Sequence, residues 1–193
     1  MPWEKSFEES DVVEKAMLVF WQKGYDATSI SDILLATGIK RSSLYNAFGG
    51  KDDLFLRSLL RYDQQRQKTL LRRMDAIDDP CECIAALIDH VVSDSLNDPS
   101  KKGCLLVNTS LDYSHRDAEI QKVVTDALKE LTTFFEKAIR RGQDRGDIPA
   151  SVDAKPTARA LLALVAGIRV LGRGPFTKTA LLQIAEQAKR LIC

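Results

Sequence analysis

The sequence predicts an all-α protein of about nine helices. Apolar residues recur at three- and four-residue spacing through most of the 193 residues, and no stretch shows the alternation typical of a strand. Glycine and proline stand between the periodic segments. A hydrophobic fraction of 45% is enough for a sizeable core. We expect an N-terminal three-helix domain at 1–50 and a larger helical domain at 51–193.

The first helix is predicted from Asp11 to Lys23. Asp11-x-x-Glu14 resembles a capping box at its start, and Gly24 follows its end. The apolar residues that recur at helical spacing between them are Val13, Ala16, Met17, Phe20 and Trp21. We expect this face to form the core of the N-terminal domain, with Phe20 and Trp21 buried in it.

The second and third helices flank a tight turn within residues 24–60. Their apolar faces are formed by Ile30, Ile33 and Leu34 in the first, and by Leu44 and Phe48 in the second. Gly38 stands where the chain must reverse in few residues, and glycine adopts a positive φ at little cost. Two short helices joined in this way form a helix-turn-helix, which places its second helix in the major groove of DNA.

The outward face of the third helix carries groups that bind nucleic acid. It presents Lys40, Arg41, Ser42, Ser43, Tyr45 and Asn46. Cations, hydroxyls and amides bond phosphates and base edges, and no acidic residue occurs between Lys40 and Lys51. The net charge is only +1, and residues 1–60 carry seven Lys and Arg against nine Asp and Glu. Affinity for DNA must therefore come from this local arrangement and not from a basic domain.

This segment resembles the DNA-binding domain of the TetR family of transcriptional regulators. The resemblance spans roughly residues 10–60 and is carried by Thr28-Ser29-Ile30, Gly38-Ile39, Ser43-Leu44-Tyr45, Phe48, Lys51 and Leu54. Two positions depart from the family's usual pattern. Leu34 stands where alanine is usual, which predicts a slightly wider helix crossing. Lys40 stands where a serine or threonine commonly caps the recognition helix, which predicts one lost cap and an added cation near the DNA backbone.

The resemblance implies roles for individual residues. Tyr45 and Lys51 would hold phosphates, and Thr28 would cap the second helix beside the DNA backbone. The base-reading candidates are Arg41 and Ser42, followed by Lys40 and Asn46. The resemblance also implies a one-component regulator, a repressor, that binds a palindromic operator in double-stranded DNA as a homodimer and is released by a small-molecule or electrophile effector.

Six further helices are predicted after the recognition helix. They span 51–77, 81–97, 104–111, 117–146, 153–172 and 177–191, with Asp153 as the cap of the eighth. Pro80, Pro99, Gly103, Gly146 and a GRGP turn at 172–175 lie between them. By resemblance, the fourth helix joins the DNA-binding domain to an effector-binding domain.

The eighth helix is apolar around most of its circumference, so it must be buried on nearly all sides. A partner subunit is the simplest cover, and the resemblance implies a four-helix bundle across a two-fold axis. The interface candidates are Leu161, Leu164, Val165, Ile168, Leu181 and Ile184, with Ala160, Ala163, Ala166 and Gly167 allowing close approach. Burial within the same chain is the alternative. Two-fold symmetry would place the recognition helices about 34–36 Å apart, as a palindrome requires.

The effector candidates are Cys104, Asn108, Asp112 and Tyr113. Gly103-Cys104 resembles the sixth-helix start of a TetR subgroup that includes regulators answering reactive electrophiles. A cysteine in the first turn of a helix lies beside unpaired amides that favour a thiolate. A buried cysteine is more often a small hydrophobe, so a reactive sensor and a structural thiol both stay open. For the three polar residues, a solvated loop is the alternative to a ligand cavity.

No catalytic, cofactor or metal site is visible in the sequence. The four cysteines lack paired C-x-x-C spacing, and the two histidines are isolated. There is no pair of Glu-x-x-His motifs, no glycine-rich phosphate loop and no nucleophile elbow. We expect no enzyme and no cofactor. The alternative function is a DNA-binding adaptor whose C-terminal domain binds a protein partner in place of a small molecule.

The sequence predicts a cytoplasmic location and no membrane partner. The N-terminus is rich in acidic residues and lacks the apolar core of a secretory signal. The longest apolar run, 158–171, is about 14 residues and contains two arginines, which is too short and too charged to span a bilayer.

Overall fold

The computed structural model describes residues 7–174 and 176–192, and no strand occurs among them. The N-terminal helices are α1 (Glu9–Lys23), α2 (Ile30–Thr37) and α3 (Arg41–Phe48). They are followed by α4 (Lys51–Tyr62), a π-helix (Asp63–Gln67), α5 (Lys68–Asp75), α6 (Pro80–Leu96), α7 (Leu105–Leu111), a 3₁₀ turn (Tyr113–His115), α8 (Ala118–Arg145), α9 (Ala154–Leu171) and α10 (Lys178–Lys189). Because α4, the π-helix and α5 form one rod, these segments correspond to the nine predicted helices. Pro175 of the predicted turn and Cys193 lie outside the described residues.

Two helix starts differ from their predictions. The capping box from Asp11 to Glu14 is wrong, since α1 begins earlier and the Asp11 N–H already donates to the Glu8 carbonyl at 3.1 Å. The Glu14 carboxylate instead pairs with Arg61 of α4. Asp153 occupies the N-cap position of α9 as predicted, but its side chain makes no capping bond. The periodicity therefore predicted the positions of both helices correctly, but the predicted partners of the backbone N–H groups at their starts were wrong.

The N-terminal hydrophobic core is shared with the C-terminal helices. Its fully buried side chains include Phe20, Ile33, Leu44, Phe48 and Phe55, from α1 to α4. The same cluster contains Leu105 and Leu106 of α7 and Ile120 and Ala127 of α8. Because α7 and α8 pack into this core, a displacement of either helix disturbs the packing of the N-terminal helices.

The second core lies among α5, α6, α8, α9 and α10. It buries four of the predicted dimer-interface residues, namely Leu161, Val165, Ile168 and Leu181, each at most 5% exposed. These side chains already pack inside their own protomer, so they have little surface to offer a partner. Leu164 and Ile184 remain partly exposed. None of the described helices is long and apolar enough to cross a membrane.

The π-helix is the main feature that the sequence pattern did not reveal. Its first residue, Asp63, is only 5% exposed and pairs with Lys68 at 2.9 Å. Its last residue, Gln67, donates through Nε2 to the Ala127 carbonyl at 2.7 Å, which ties the widened turn to α8. Short π turns inside α-helices occur frequently at functional sites. This one lies where the rod passes from the N-terminal core to the C-terminal core.

Substitution of Ile33 by alanine tests the N-terminal packing. Ile33 is 0% exposed, so Ile33→Ala should lower the free energy of unfolding by about 2–5 kcal/mol. Leu35 on the same helix is 87% exposed, and Leu35→Ala should change that free energy by no more than about 0.5 kcal/mol. Urea unfolding followed by circular dichroism measures both. Equal losses in the two variants would contradict the packing described.

Candidate nucleic-acid interface and internal cavity

The turn between α2 and α3 has the geometry that the sequence predicted. Gly38 adopts a left-handed conformation with φ 74° and ψ 6°, and its N–H donates to the Leu34 carbonyl at 2.9 Å. This terminates α2 and redirects the chain. Lys40 is the N-cap of α3 and makes no side-chain capping bond. The predicted loss of one cap is therefore confirmed.

Two buried side chains hold α3 in the core, and most of its other residues are exposed. Leu44 and Phe48 are at most 1% exposed. The exposed residues are Lys40, Arg41, Ser42, Tyr45 and Asn46, whereas Ser43 is partly buried. Within the described part of the chain, neither Lys40 nor Arg41 is held in an ion pair. The first turn of the helix therefore presents cations, hydroxyls and backbone N–H groups that can bond phosphates or base edges.

The cap of α2 is Ser29, and the role implied for Thr28 as that cap is wrong. Ser29 Oγ accepts from the Asp32 N–H at 3.1 Å, while the Ser29 N–H donates to Asp32 Oδ2 at 2.9 Å. Thr28 is 1% exposed, and its hydroxyl donates to the Gly24 carbonyl at 2.6 Å. The Ser-x-x-Asp pattern at 29–32 was the available signal in the sequence. The hydrogen bond from Lys23 is the largest cause that lowers the pKa of the Asp32 carboxyl.

The candidate phosphate ligand Lys51 belongs to a group of residues around Tyr25. Lys51 Nζ lies 4.1 Å from the centre of the Tyr25 ring, and the Arg116 guanidinium carbon lies 4.5 Å from it. The Tyr25 hydroxyl bonds the Asp52 carboxylate, and Arg116 pairs with Asp26 at 2.8 Å. Burial, followed by the bond to Asp52, raises the pKa of Tyr25 to about 12. We call these five residues the Tyr25 cluster; it connects the start of α4 to the segment before α8.

A partly open cavity of about 130 Å³ lies between the N-terminal helices and the C-terminal core. Its apolar lining consists of Leu70, Leu71, Leu87, Val91, Leu106, Val107, Leu128, Leu131, Leu162, Val165 and Ala166. Its aromatic and polar lining consists of Trp21, Tyr62, Arg66, Gln67, His90, Asp94, Cys104 and Arg169. Trp21 belongs to α1 and also to the N-terminal core. The wall of the cavity is therefore partly built by the DNA-binding unit.

The polar lining is held by short-range contacts. Arg169, whose side chain is 11% exposed, pairs with Asp94. Burial raises the pKa of the Tyr62 hydroxyl well above its ordinary value, so the group stays protonated. Burial also lowers the pKa of His90, which leaves that ring neutral at neutral pH. Trp21 Nε1–H donates to the Gly103 carbonyl at 2.9 Å, directly before Cys104.

The four effector candidates lie at different places. Cys104 is the N-cap of α7 and lines the cavity, although its side chain makes no capping bond. Asn108 and Asp112 line a separate pocket of about 170 Å³, where Asn108 accepts a bond from Arg173 at 3.1 Å. Tyr113 is 41% exposed and bonds Thr125. Asn108, Asp112 and Tyr113 therefore line no part of the cavity that contains Cys104.

Sequence reasoning missed most of the polar residues around the cavity. The sequence predicted Trp21 only as a core residue, and Arg169 only counted as one of two arginines that argue against a membrane span. The available signal was a single arginine within an otherwise apolar stretch of α9, because such a cation must find a partner when buried. Tyr62 and Asp94 carry no local pattern. No group of three or more His, Cys, Asp or Glu side chains suited to a metal ion occurs in the described residues.

Comparisons with known proteins identify the family. A family model described as "Bacterial regulatory proteins, tetR family" matches residues 12–57, and one described as "Tetracyclin repressor-like, C-terminal domain" matches residues 80–174. The HTH-type transcriptional repressor ComR of Escherichia coli (strain K12) is 30% identical over 192 residues, which cover 97% of this chain and 90% of ComR. The chain belongs to the TetR family.

Further relatives agree with this TetR-family assignment. The uncharacterized HTH-type transcriptional regulator YezE of Bacillus subtilis (strain 168) is 30% identical over 75% of this chain and 74% of YezE. A structure of the TetR family regulator CifR, a cysteine mutant complexed with 26-bp double-strand operator DNA, is 27% identical. It superimposes with a TM-score of 0.83 over 97% of this chain and 98% of that chain. The chain is thus a DNA-binding transcriptional regulator.

Removal of the Lys51 charge tests the interface through its salt dependence. If Lys51 neutralises one phosphate per protomer, Lys51→Ala should weaken binding to all DNA sequences alike. It should also flatten the slope of log affinity against log salt by about one per protomer. Lys137→Ala, which removes an exposed cation from α8, is the matched control and should leave the slope unchanged. Fluorescence anisotropy titrations over a series of salt concentrations measure this slope. An unaltered slope for Lys51→Ala would refute the contact between Lys51 and a phosphate.

Proposed function

We propose that this TetR-family chain is a dimeric one-component repressor, located with its DNA in the cytoplasm. It binds a palindromic operator through residues 28–51 and releases it when an effector occupies or modifies the C-terminal part. We assign 1–50 to DNA binding and 51–193 to effector binding and dimerisation. The observation that carries the proposal is the double position of Trp21, which lies in the core of the helix-turn-helix unit and in the wall of the cavity.

Base reading is assigned to Arg41 and Ser42, with Lys40, Ser43 and Asn46 as neighbours in the same groove. Tyr45 and Lys51 are assigned to phosphates. The exposure of the first turn of α3 supports this division, because residues at the start of a recognition helix reach base edges. The operator complex of CifR supports DNA as the partner, and the name of ComR supports repression as the outcome.

Dimerisation is assigned to the outer face of α9 and α10. Ala160 and Ala163 are exposed, and a Cβ added to Gly167 would meet nothing within 4 Å in its own chain. Leu164 and Ile184 are partly exposed on these helices, and Leu182 is 42% exposed. Small residues with flanking apolar side chains favour close packing against a second helix pair. Of the residues that the sequence suggested, Leu164 and Ile184 are thus expected in the interface, whereas the buried Leu161, Val165, Ile168 and Leu181 are not.

Release requires that the effector bind the DNA-incompetent arrangement more tightly than the DNA-bound one. Two contacts can transmit such a preference. The bond from Trp21 to the Gly103 carbonyl links α1 to the start of α7, and the Tyr25 cluster links Lys51 to the segment before α8. A shift of α7 together with the segment that contains Arg116 would therefore move α1 and the start of α4 together. That movement changes the separation of the two recognition helices in a dimer.

The adaptor alternative is less well supported. A solid core with an exposed apolar patch would support a C-terminal domain that binds a protein partner. The cavity of about 130 Å³ favours a small molecule as the effector.

Arg41→Ala tests the operator proposal. Arginine can bond O6 and N7 of guanine in bidentate fashion, so this variant should lose about 1–3 kcal/mol of binding free energy at one base position. Its affinity for random DNA should fall much less. Footprinting on the chain's own upstream intergenic DNA, with Arg72→Ala of α5 as control, should show a protected palindrome with two protomers per site. Equal losses on specific and random DNA would remove Arg41 from the base-reading set.

Cys104→Ser tests the electrophile branch of the proposal. A thiolate adds through sulfur to the ring carbon of N-ethylmaleimide, and the adjacent carbon takes up a proton. If Cys104 is the sensor, this adduct should release the operator from the native protein but not from Cys104→Ser, which should bind DNA normally. Cys81→Ser is the matched control and should still respond. Release that persists in Cys104→Ser, as seen by anisotropy with labelled operator, would leave Cys104 as a structural thiol.

A further inference from the structure

We propose that the cavity binds an aromatic monocarboxylate of a single ring, with the carboxylate on Arg169 and the ring among the leucines. The inference rests on the proposed function only in treating the cavity as the effector site. It adds the chemical class of the ligand and the residue that selects it. Three features of the described residues carry it: the volume of the cavity, the unpaired edge of Arg169 and a surface pocket that shares residues with the polar lining.

The volume limits the ligand to about one ring. An engineered cavity of about 150 Å³, lined by Leu, Ile and Phe in another protein, binds benzene. The cavity of about 130 Å³ here is of similar size and has a comparable lining over most of its wall. Leu87, Leu131 and Leu162 are examples of that lining. A flat ring fits such a space, whereas a fused two-ring compound would have to displace packed side chains.

Arg169 selects a carboxylate because half of its guanidinium is unused. Within the described structure its hydrogen bonds run through Nη1 alone, to Asp94 and, at 3.5 Å, to Ser95. The Nε and Nη2 donors form the edge that binds a carboxylate in bidentate fashion. A ligand that supplies two acceptor oxygens can therefore bind at this edge while Nη1 keeps its bond to Asp94.

The charge of the lining also favours an anion. Asp94 is already paired with Arg169, and His90 is neutral because burial disfavours its cationic form. Arg66 adds a second cation to the wall. The Tyr62 hydroxyl is buried and protonated, so it adds no negative charge to the wall, and it is hydrogen-bonded to the Cys104 side chain. The polar lining therefore has a net charge of +1 and several donors, whereas its one carboxylate is occupied.

A surface pocket of about 160 Å³ borders the polar lining. It shares Trp21, Arg66 and Asp94 with the cavity and adds Lys102, whose Nζ lies 4.6 Å from the centre of the Trp21 ring. The Asp98 carboxylate in this pocket accepts backbone N–H bonds from Ser100 and Gly103. Arg66 and Lys102 are the cations of this pocket, and its two carboxylates, Asp94 and Asp98, are already paired with Arg169 and with backbone N–H groups. An anionic ligand can therefore meet both cations along this route. The polar lining is thus the part nearest to the entrance, and the leucines form the far end.

Calorimetric titration of the DNA-free protein with four probes tests the inference. The probes are benzoate, its neutral isostere benzamide, 1-naphthoate and acetate. Benzoate should bind about 10- to 100-fold more tightly than benzamide, because the bonds to a charged group are lost in the amide. Naphthoate should bind more weakly because of its size, and acetate because it has no ring. Equal affinity for benzoate and benzamide, tighter binding of naphthoate, or no binding of benzoate would overturn the proposal.

Two variants assign the binding to the two parts of the cavity. Arg169→Gln should weaken benzoate binding by the same factor of about 10 to 100 and leave benzamide binding unchanged. If Arg169 had only a structural role, its loss would weaken the binding of both compounds. Arg159→Gln, at an exposed position of the same helix, is the matched control. Ala166→Leu fills the space for the ring and should abolish binding with Arg169 intact, so the proposal stays testable if Arg169→Gln does not fold. Loss of both ligands in Arg169→Gln, or unchanged binding in Ala166→Leu, would contradict it.

A parallel titration of labelled operator separates this inference from the proposed function. Benzoate that binds the cavity without releasing the operator would uphold the ligand class and refute effector release by occupancy of this cavity. Another compound that releases the operator from a protein that does not bind benzoate would uphold the regulator and refute the ligand class.

Discussion

The burial of one indole ring joins the two functional parts of this protein. Trp21 packs edge-on against Tyr62 with ring centres 5.1 Å apart, and its N–H is bonded to the loop that precedes α7. Arg66 and Lys102 lie over the same ring. The core of the helix-turn-helix unit therefore shares Trp21 with the wall of the cavity. A ligand that displaces this ring would disturb the packing of α1 against α4.

The charges of residues 1–60 are divided between structural partners and the recognition helix. Residues 1–60 have more acidic than basic side chains, yet the recognition helix carries no acid and its two cations are held in no ion pair of the described chain. The acids are used elsewhere as structural partners: Asp32 for the cap of α2, Asp52 for Tyr25, and Glu14 for Arg61. The groups that we propose to bind DNA are thus concentrated on one small face, so binding would depend on the position of that face.

The fold could be predicted closely because it depends on periodicity. The helices of the described residues and the Gly38 turn follow from local spacing and from the conformational freedom of glycine, and the missing cap at Lys40 follows from the family resemblance. Contacts between distant segments could not be predicted in this way. Leu161 and Leu164 have the same chemical character, and only the packed structure shows that the first faces its own core while the second is partly exposed. Likewise, Arg169 looks like any charged residue until its pairing with Asp94 is known.

The π-helix at 63–67 changes the direction in which the rod between the DNA-binding unit and the cavity presents its side chains. A π turn holds one residue more than an α turn. One extra residue rotates the side chains that follow it by about 100° around the helix axis. The rod can therefore turn α4 towards the N-terminal core and α5 towards the C-terminal core without a break between the helices.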